Sequence, residues 1–111
     1  MITISSLKEF GADVDTGLAR CLNKEDFYLK MVNMGLADEH FDQLDSVLEQ
    51  NNLDKSFEVC HALKGVLGNL ALNPMYDIVC EMTELLRARK EADYPAMWSK
   101  VKQMRQELLS L

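Results

Sequence analysis

His61 and Lys64 stand three residues apart in the run FEVCHALKGVLGNLAL, residues 57–72, and two glycines, Gly65 and Gly68, follow within two helical turns. An imidazole has an ordinary pKa of about 6.5, so near pH 7 it is mostly neutral and offers a nitrogen lone pair as nucleophile or phosphoryl acceptor. A phosphoryl group brings up to about two negative charges, and a lysine one turn away can offset them and hydrogen-bond the oxygens. Each glycine costs a helix roughly 1 kcal/mol relative to alanine. That cost is explained if Gly65 and Gly68 keep an exposed face clear for steric access.

The helix that must carry these residues is capped at Asp54 in this reading. Placed at about 100° per residue with His61 at zero, Val59, Ala62, Leu63, Val66 and Leu70 form the core arc. Lys64, Gly65 and Gly68 fall within about 60° of the histidine on the opposite face, so His61 is displayed. Phe57 at about 320° and Cys60 at about 260° flank it and are candidates for partner docking. For Phe57, packing against a neighbouring short helix is an equally open reading.

Around this helix the apolar spacing runs in threes and fours, with no strand alternation and no hairpin dipeptide. A first short helix is expected from Ser6, where SLKE fits a capping box with Glu9, to Gly11. A second short helix follows Asp13, weakened by Gly17. Asn23 is expected to cap the segment bearing Phe27, Tyr28, Met31 and Val32, and Phe41, Leu44, Val47 and Leu48 mark the next helix. Asn73 as cap with Pro74 at the first helical position opens a helix on Ile78, Val79, Met82, Leu85 and Leu86. The last helix spans Tyr94 to Leu109. The expected fold is all-α: an antiparallel up-and-down four-helix bundle with one or two short N-terminal helices, residues 1–111 forming one domain.

The net charge of −6 and pI near 4.8 argue against nucleic acid and anionic membrane surfaces, which select basic proteins. The first residues lack a signal-peptide pattern, and a cytoplasmic protein is expected. Cys21, Cys60 and Cys80 are odd in number and far apart, suggesting reduced thiols and neither a disulfide framework nor a zinc site. Glu81 and Glu84 near Cys80 do not make a convincing metal set with His61. His40 reads as an ordinary surface residue, and the seven methionines as core filler.

HALKGVLGNL, carrying His61, Leu63, Lys64, Gly65 and Gly68, resembles the signature of the histidine-containing phosphotransfer (HPt) domains of phosphorelays. The segment GADVDTGLARCLNKEDFYLKM and the later helix spacing are similar too, so the resemblance covers nearly the whole chain. It implies that His61 accepts a phosphoryl group from a receiver-domain aspartate or a histidine kinase and passes it to another receiver. Mg²⁺ is then expected in the partner receiver domain, with no cofactor bound by this chain. Two departures stand out: Ala71 occupies a place where the family often has glycine, implying looser packing there. Thr83 lies where a glutamine often faces the histidine, implying a weak or water-mediated phosphoryl contact. No nucleotide-binding loop is seen. Met1 and the full set of helices favour an independent small protein, and a monomer is expected. The competing reading is a non-catalytic helical adaptor, a degenerate phosphotransfer domain that binds a signalling partner.

Overall fold

A computed structural model describes residues 1–111 as seven helices: α1 (Ile4–Phe10), α2 (Val14–Arg20), α3 (Glu25–Leu36), α4 (His40–Glu49), α5 (Leu53–Asn69), α6 (Asn73–Arg87) and α7 (Tyr94–Leu109). The fold is all-helical, as the spacing predicts. Helix α5 packs against α4 on one side and α6 on the other, and α6 packs against α7. The Phe41 ring of α4 stacks on Trp98 of α7 with centroids 5.8 Å apart, and Trp98 Nε1 donates to Asp45 at 2.6 Å. These contacts close a ring of four walls. The links are only three to six residues long, so consecutive walls run antiparallel.

One wall is broken. Helix α3 ends at Leu36 and α4 begins at His40, and α3 lies beside the C-terminal half of α5. Gly35 makes that approach possible, since a Cβ there would fall 2.3 Å from Leu70 Cδ1. Arg105 of α7 donates to Leu36 O at 2.6 Å and lies over the Phe41 ring at 4.5 Å, bracing the break. All seven helices contribute to one apolar core that includes Leu7, Val14, Tyr28, Leu44, Leu67, Met82 and Val101. Burial of such side chains is the main favourable term in folding.

The caps differ from the expectations at four starts. The first capping box is formed by Thr3 and Ser6, with Ser6 N donating to Thr3 Oγ1 and Thr3 N to Ser6 Oγ, so Ser6 is the third helical residue and not the cap. Lys24 stands at the cap of α3 with no side-chain bond, because Asn23 is spent on a left-handed turn with φ of 57°. Asn52, not Asp54, caps α5, its Oδ1 accepting from Lys55 N at 3.1 Å. Helix α6 begins one residue early, with Leu72 at the cap and Asn73 and Pro74 in its first turn. Asp13 and Asp93 cap α2 and α7.

No helix of the chain is long and apolar enough to cross a membrane.

Candidate functional site

The buried residues of α5 are Ser56, Cys60, Leu63 and Leu67, followed by Leu70 at the cap, while Val59, Ala62 and Val66 are only half-buried. The core arc is therefore rotated toward α6 from the position that apolar counting assigns. The cause is that α5 touches neighbours on both flanks, and the α6 flank takes small and polar residues. Cys60 is wholly buried, with its Sγ 3.2 Å from Thr83 Oγ1 and 3.6 Å from Val79 O. It cannot serve in docking. Burial pushes its thiol up to about 11.

Thr83 likewise leaves the site. It is wholly buried, and its hydroxyl donates to Val79 O at 2.7 Å, one turn back on α6. It joins α6 to α5 through Cys60 and makes no approach to a phosphoryl group on the outer face. Ser56, one turn before Cys60, is buried with a hydroxyl that has no hydrogen-bond partner.

His61 remains exposed, Lys64 is half-buried and Gly65 is exposed. These three line a solvent-open cleft of about 520 Å³ together with Gly68, Asn69 and Ala71 of the α5 end, Asn73, Tyr76 and Asp77 of α6, and Asp13, Thr16 and Arg20 of α2. The two glycines meet different surroundings. A Cβ at Gly65 would find nothing within 4 Å, whereas one at Gly68 would fall 3.2 Å from Tyr76 Cε1. Gly65 keeps the face beside His61 clear. Gly68 lets the Tyr76 ring lie against α5, so its smallness serves helix packing more than access.

Helix α2 forms the floor of the cleft. Arg20 Nη1 donates to Gly68 O at 2.5 Å, and Asp13 N donates to Ala71 O at 3.0 Å. Thr16 donates to Asp13 through both its hydroxyl, at 2.7 Å, and its amide, at 3.2 Å, and these bonds hold the Asp13 carboxyl below its usual range. Gly17 faces the other way, toward Tyr28, whose ring atoms would lie 2.5 Å from a Cβ there. That close approach accounts for a glycine inside a short helix.

Phe57 is half-buried and has partners of its own. Its ring stacks on His61 with centroids 5.7 Å apart and planes 12° from parallel, and the Arg87 guanidinium carbon lies 4.9 Å from its centroid. The neighbour is thus α6, not a short helix. The apolar spacing does not single out Arg87, Arg20, Thr16 or Tyr76. Arg87 was within reach of inference: in an antiparallel pair with a short link, each step back along α5 matches a step forward along α6. Gly68 with Tyr76, Cys60 with Thr83, Phe57 with Arg87 and Asp54 with Arg89 follow that register. Nothing local marks the α2 residues.

His40 is half-buried against Asp38, its amide and its Nδ1 both on Asp38 Oδ1, at 2.8 and 2.5 Å. It lies on the α4/α5 side of the bundle, away from the His61 cleft.

Comparison with curated proteins and with solved structures gave no match. The family model described as Hpt domain matches residues 34–111, which take in the end of α3 and all of α4 to α7. With an exposed histidine, a lysine one turn on and an open glycine within that matched stretch, the chain belongs to the Hpt domain family, whose members are phosphocarrier modules of two-component signalling.

Proposed function

We propose that the chain is a phosphorelay intermediate that accepts a phosphoryl group on His61 from a receiver-domain aspartate or a histidine kinase and passes it to another receiver aspartate. The observation that carries this reading is the exposed His61 beside open space at Gly65, with Lys64 one turn away. In the acceptance step an imidazole nitrogen attacks phosphorus, the N–P bond forms, and the acyl-phosphate P–O bond breaks to return a carboxylate. The reverse exchange delivers the group to the next aspartate. In-line displacement of this kind depends mainly on positioning and charge stabilisation.

This chain supplies the nucleophile, its exposure and the Lys64 ammonium. Mg²⁺ and the carboxylates that hold it belong to the receiver, so catalysis is largely the partner's. The expected form is a cytoplasmic monomer with response-regulator receivers or a hybrid kinase as partners. Its acidic surface does not suit nucleic acid.

Incubation with a phosphorylated receiver should place an acid-labile, alkali-stable phosphate on the protein. His61→Gln should abolish it, and Lys64→Ala should slow transfer or shorten the lifetime of the phosphohistidine. Equal labelling of the His61→Gln variant would sink the assignment to His61, and no labelling from any cognate receiver would favour the adaptor reading.

A further inference from the structure

We propose that Phe57, steadied by Arg87, is a positioning residue for His61, fixing the plane of the imidazole and screening its side away from Lys64 and Gly65. This rests on the carrier reading for its purpose, but its geometry stands independently. Phe57 lies one turn before His61 on α5, and Lys64 and Gly65 lie one turn after it, so the imidazole sits between a ring and a gap. The near-parallel planes, 12° apart, make the Phe57 ring a shelf that opposes rotation of the imidazole out of that orientation.

The shelf is itself braced. The Arg87 guanidinium lies over the Phe57 ring, and Arg87 Nε is 3.4 Å from Glu84 Oε2 on the same helix. One turn further toward the start of α5, Arg89 Nη2 contacts Asp54 Oδ1 at 2.5 Å, tying the two helices together again. Arg87 of α6 and Arg89 just past its end thus hold the segment from which Phe57 projects. A nucleophile kept in one orientation does not lose the freedom of its side chain during attack, which is the way positioning raises a rate.

The consequence is directional. The imidazole approach on the Phe57 side is obstructed, and the approach over Gly65 is open, with Lys64 beside it to meet the phosphoryl oxygens. Arg87, reaching His61 only through Phe57, acts at second hand.

The test uses the whole chain and phosphoramidate, a small donor that needs no docking surface. The imidazole N–P bond forms as the donor's P–N bond breaks, and ammonia leaves with its protons. In the unphosphorylated protein, NMR should show contacts between Phe57 and His61 ring protons and one dominant His61 rotamer. In Phe57→Leu, with circular dichroism unchanged, the rotamers should average and labelling should slow by roughly three- to tenfold. Phe57→Tyr should restore both, and Arg87→Gln should give a smaller loss. A Phe57→Leu variant that keeps one rotamer and the wild-type phosphoramidate rate overturns the proposal. So does a Phe57→Tyr variant as slow as Phe57→Leu. A Phe57→Leu defect confined to transfer from a receiver would make Phe57 a docking residue instead. If the wild type takes no phosphate from any donor, the carrier reading fails, and the rotamer measurement still decides whether Phe57 orders His61.

Discussion

Gly65 and Gly68 share a helix face, yet the space around them separates their roles. An added methyl at Gly65 meets open solvent, so Gly65→Ala should stabilise the protein by about 0.5–1 kcal/mol through helix propensity. If His61 is the acceptor proposed above, Gly65→Ala should also slow transfer from a phosphorylated receiver, since the methyl stands one turn from His61. At Gly68 the same methyl presses on Tyr76, and the propensity gain should be largely cancelled. Denaturant melts and label transfer on the two variants check this contrast; equal stabilisation of both would refute it. His61, Lys64 and Gly65 were legible from type and spacing, because exposure on a lone helix follows from its polar face. Thr83 and Cys60 were not. Both are small and weakly polar, and the helical wheel of α5 carries no information about α6 until the register of the pair is worked out.

At the level of elements, α1, α2, α4, α5 and α6 end alike. In each, a residue just past the cap donates to a carbonyl five residues back, as Leu72 N does to Leu67 O at 3.1 Å and Asn52 N to Val47 O at 3.1 Å. This closure places one residue in the left-handed region, and here those residues include Leu22, Asn51, Ala71 and Arg89, with only Gly11 a glycine. Stops of that sort hide from a reader who looks for glycine and proline. Ala71 is the informative case: its φ is 57° and it is 3% exposed. The helix end is therefore tightly held, against the looser packing that the missing glycine implied. A left-handed alanine costs about 1–2 kcal/mol, while losing its buried methyl costs roughly 0.8 kcal/mol. Ala71→Gly should then raise stability by up to about 1 kcal/mol, visible as a higher denaturant midpoint. A lower midpoint would show that the methyl contributes more than the strain.

For the whole molecule, the periodicity of three and four sufficed to predict a bundle, because amphipathic helices with short links have few other ways to bury their stripes. The broken wall did not emerge from it, since α3 and α4 each read as an ordinary helix and their shared side is set by what α5 and α7 offer. The folded core also sets a pH limit. Burial pushes Cys60 up to about 11 and raises Tyr28 and Tyr94 above their ordinary values. The unfolded chain releases the Cys60 proton near the ordinary value of 9.0, while the folded chain retains it. Stability should thus be complete below about pH 9 and fall between about pH 9 and 11, with the tyrosines adding to the loss. Thermal melts across that range should show the decline, reduced in Cys60→Ala; a flat profile would contradict it.

The end of α5 carries a last implication. Its carbonyls at Gly68, Leu70 and Ala71 accept from Arg20, from the Tyr28 hydroxyl at 2.8 Å and from the Asp13 amide. All three donors lie before residue 34, outside the stretch that the family model spans. A fragment cut at that boundary would keep the histidine and its lysine yet strand the carbonyls of Leu70 and Ala71, while Gly68 O would keep only the Ala71 amide. The border of that match is therefore not the border at which this protein can be divided: helix α5 is finished by a portion of chain that the match does not cover.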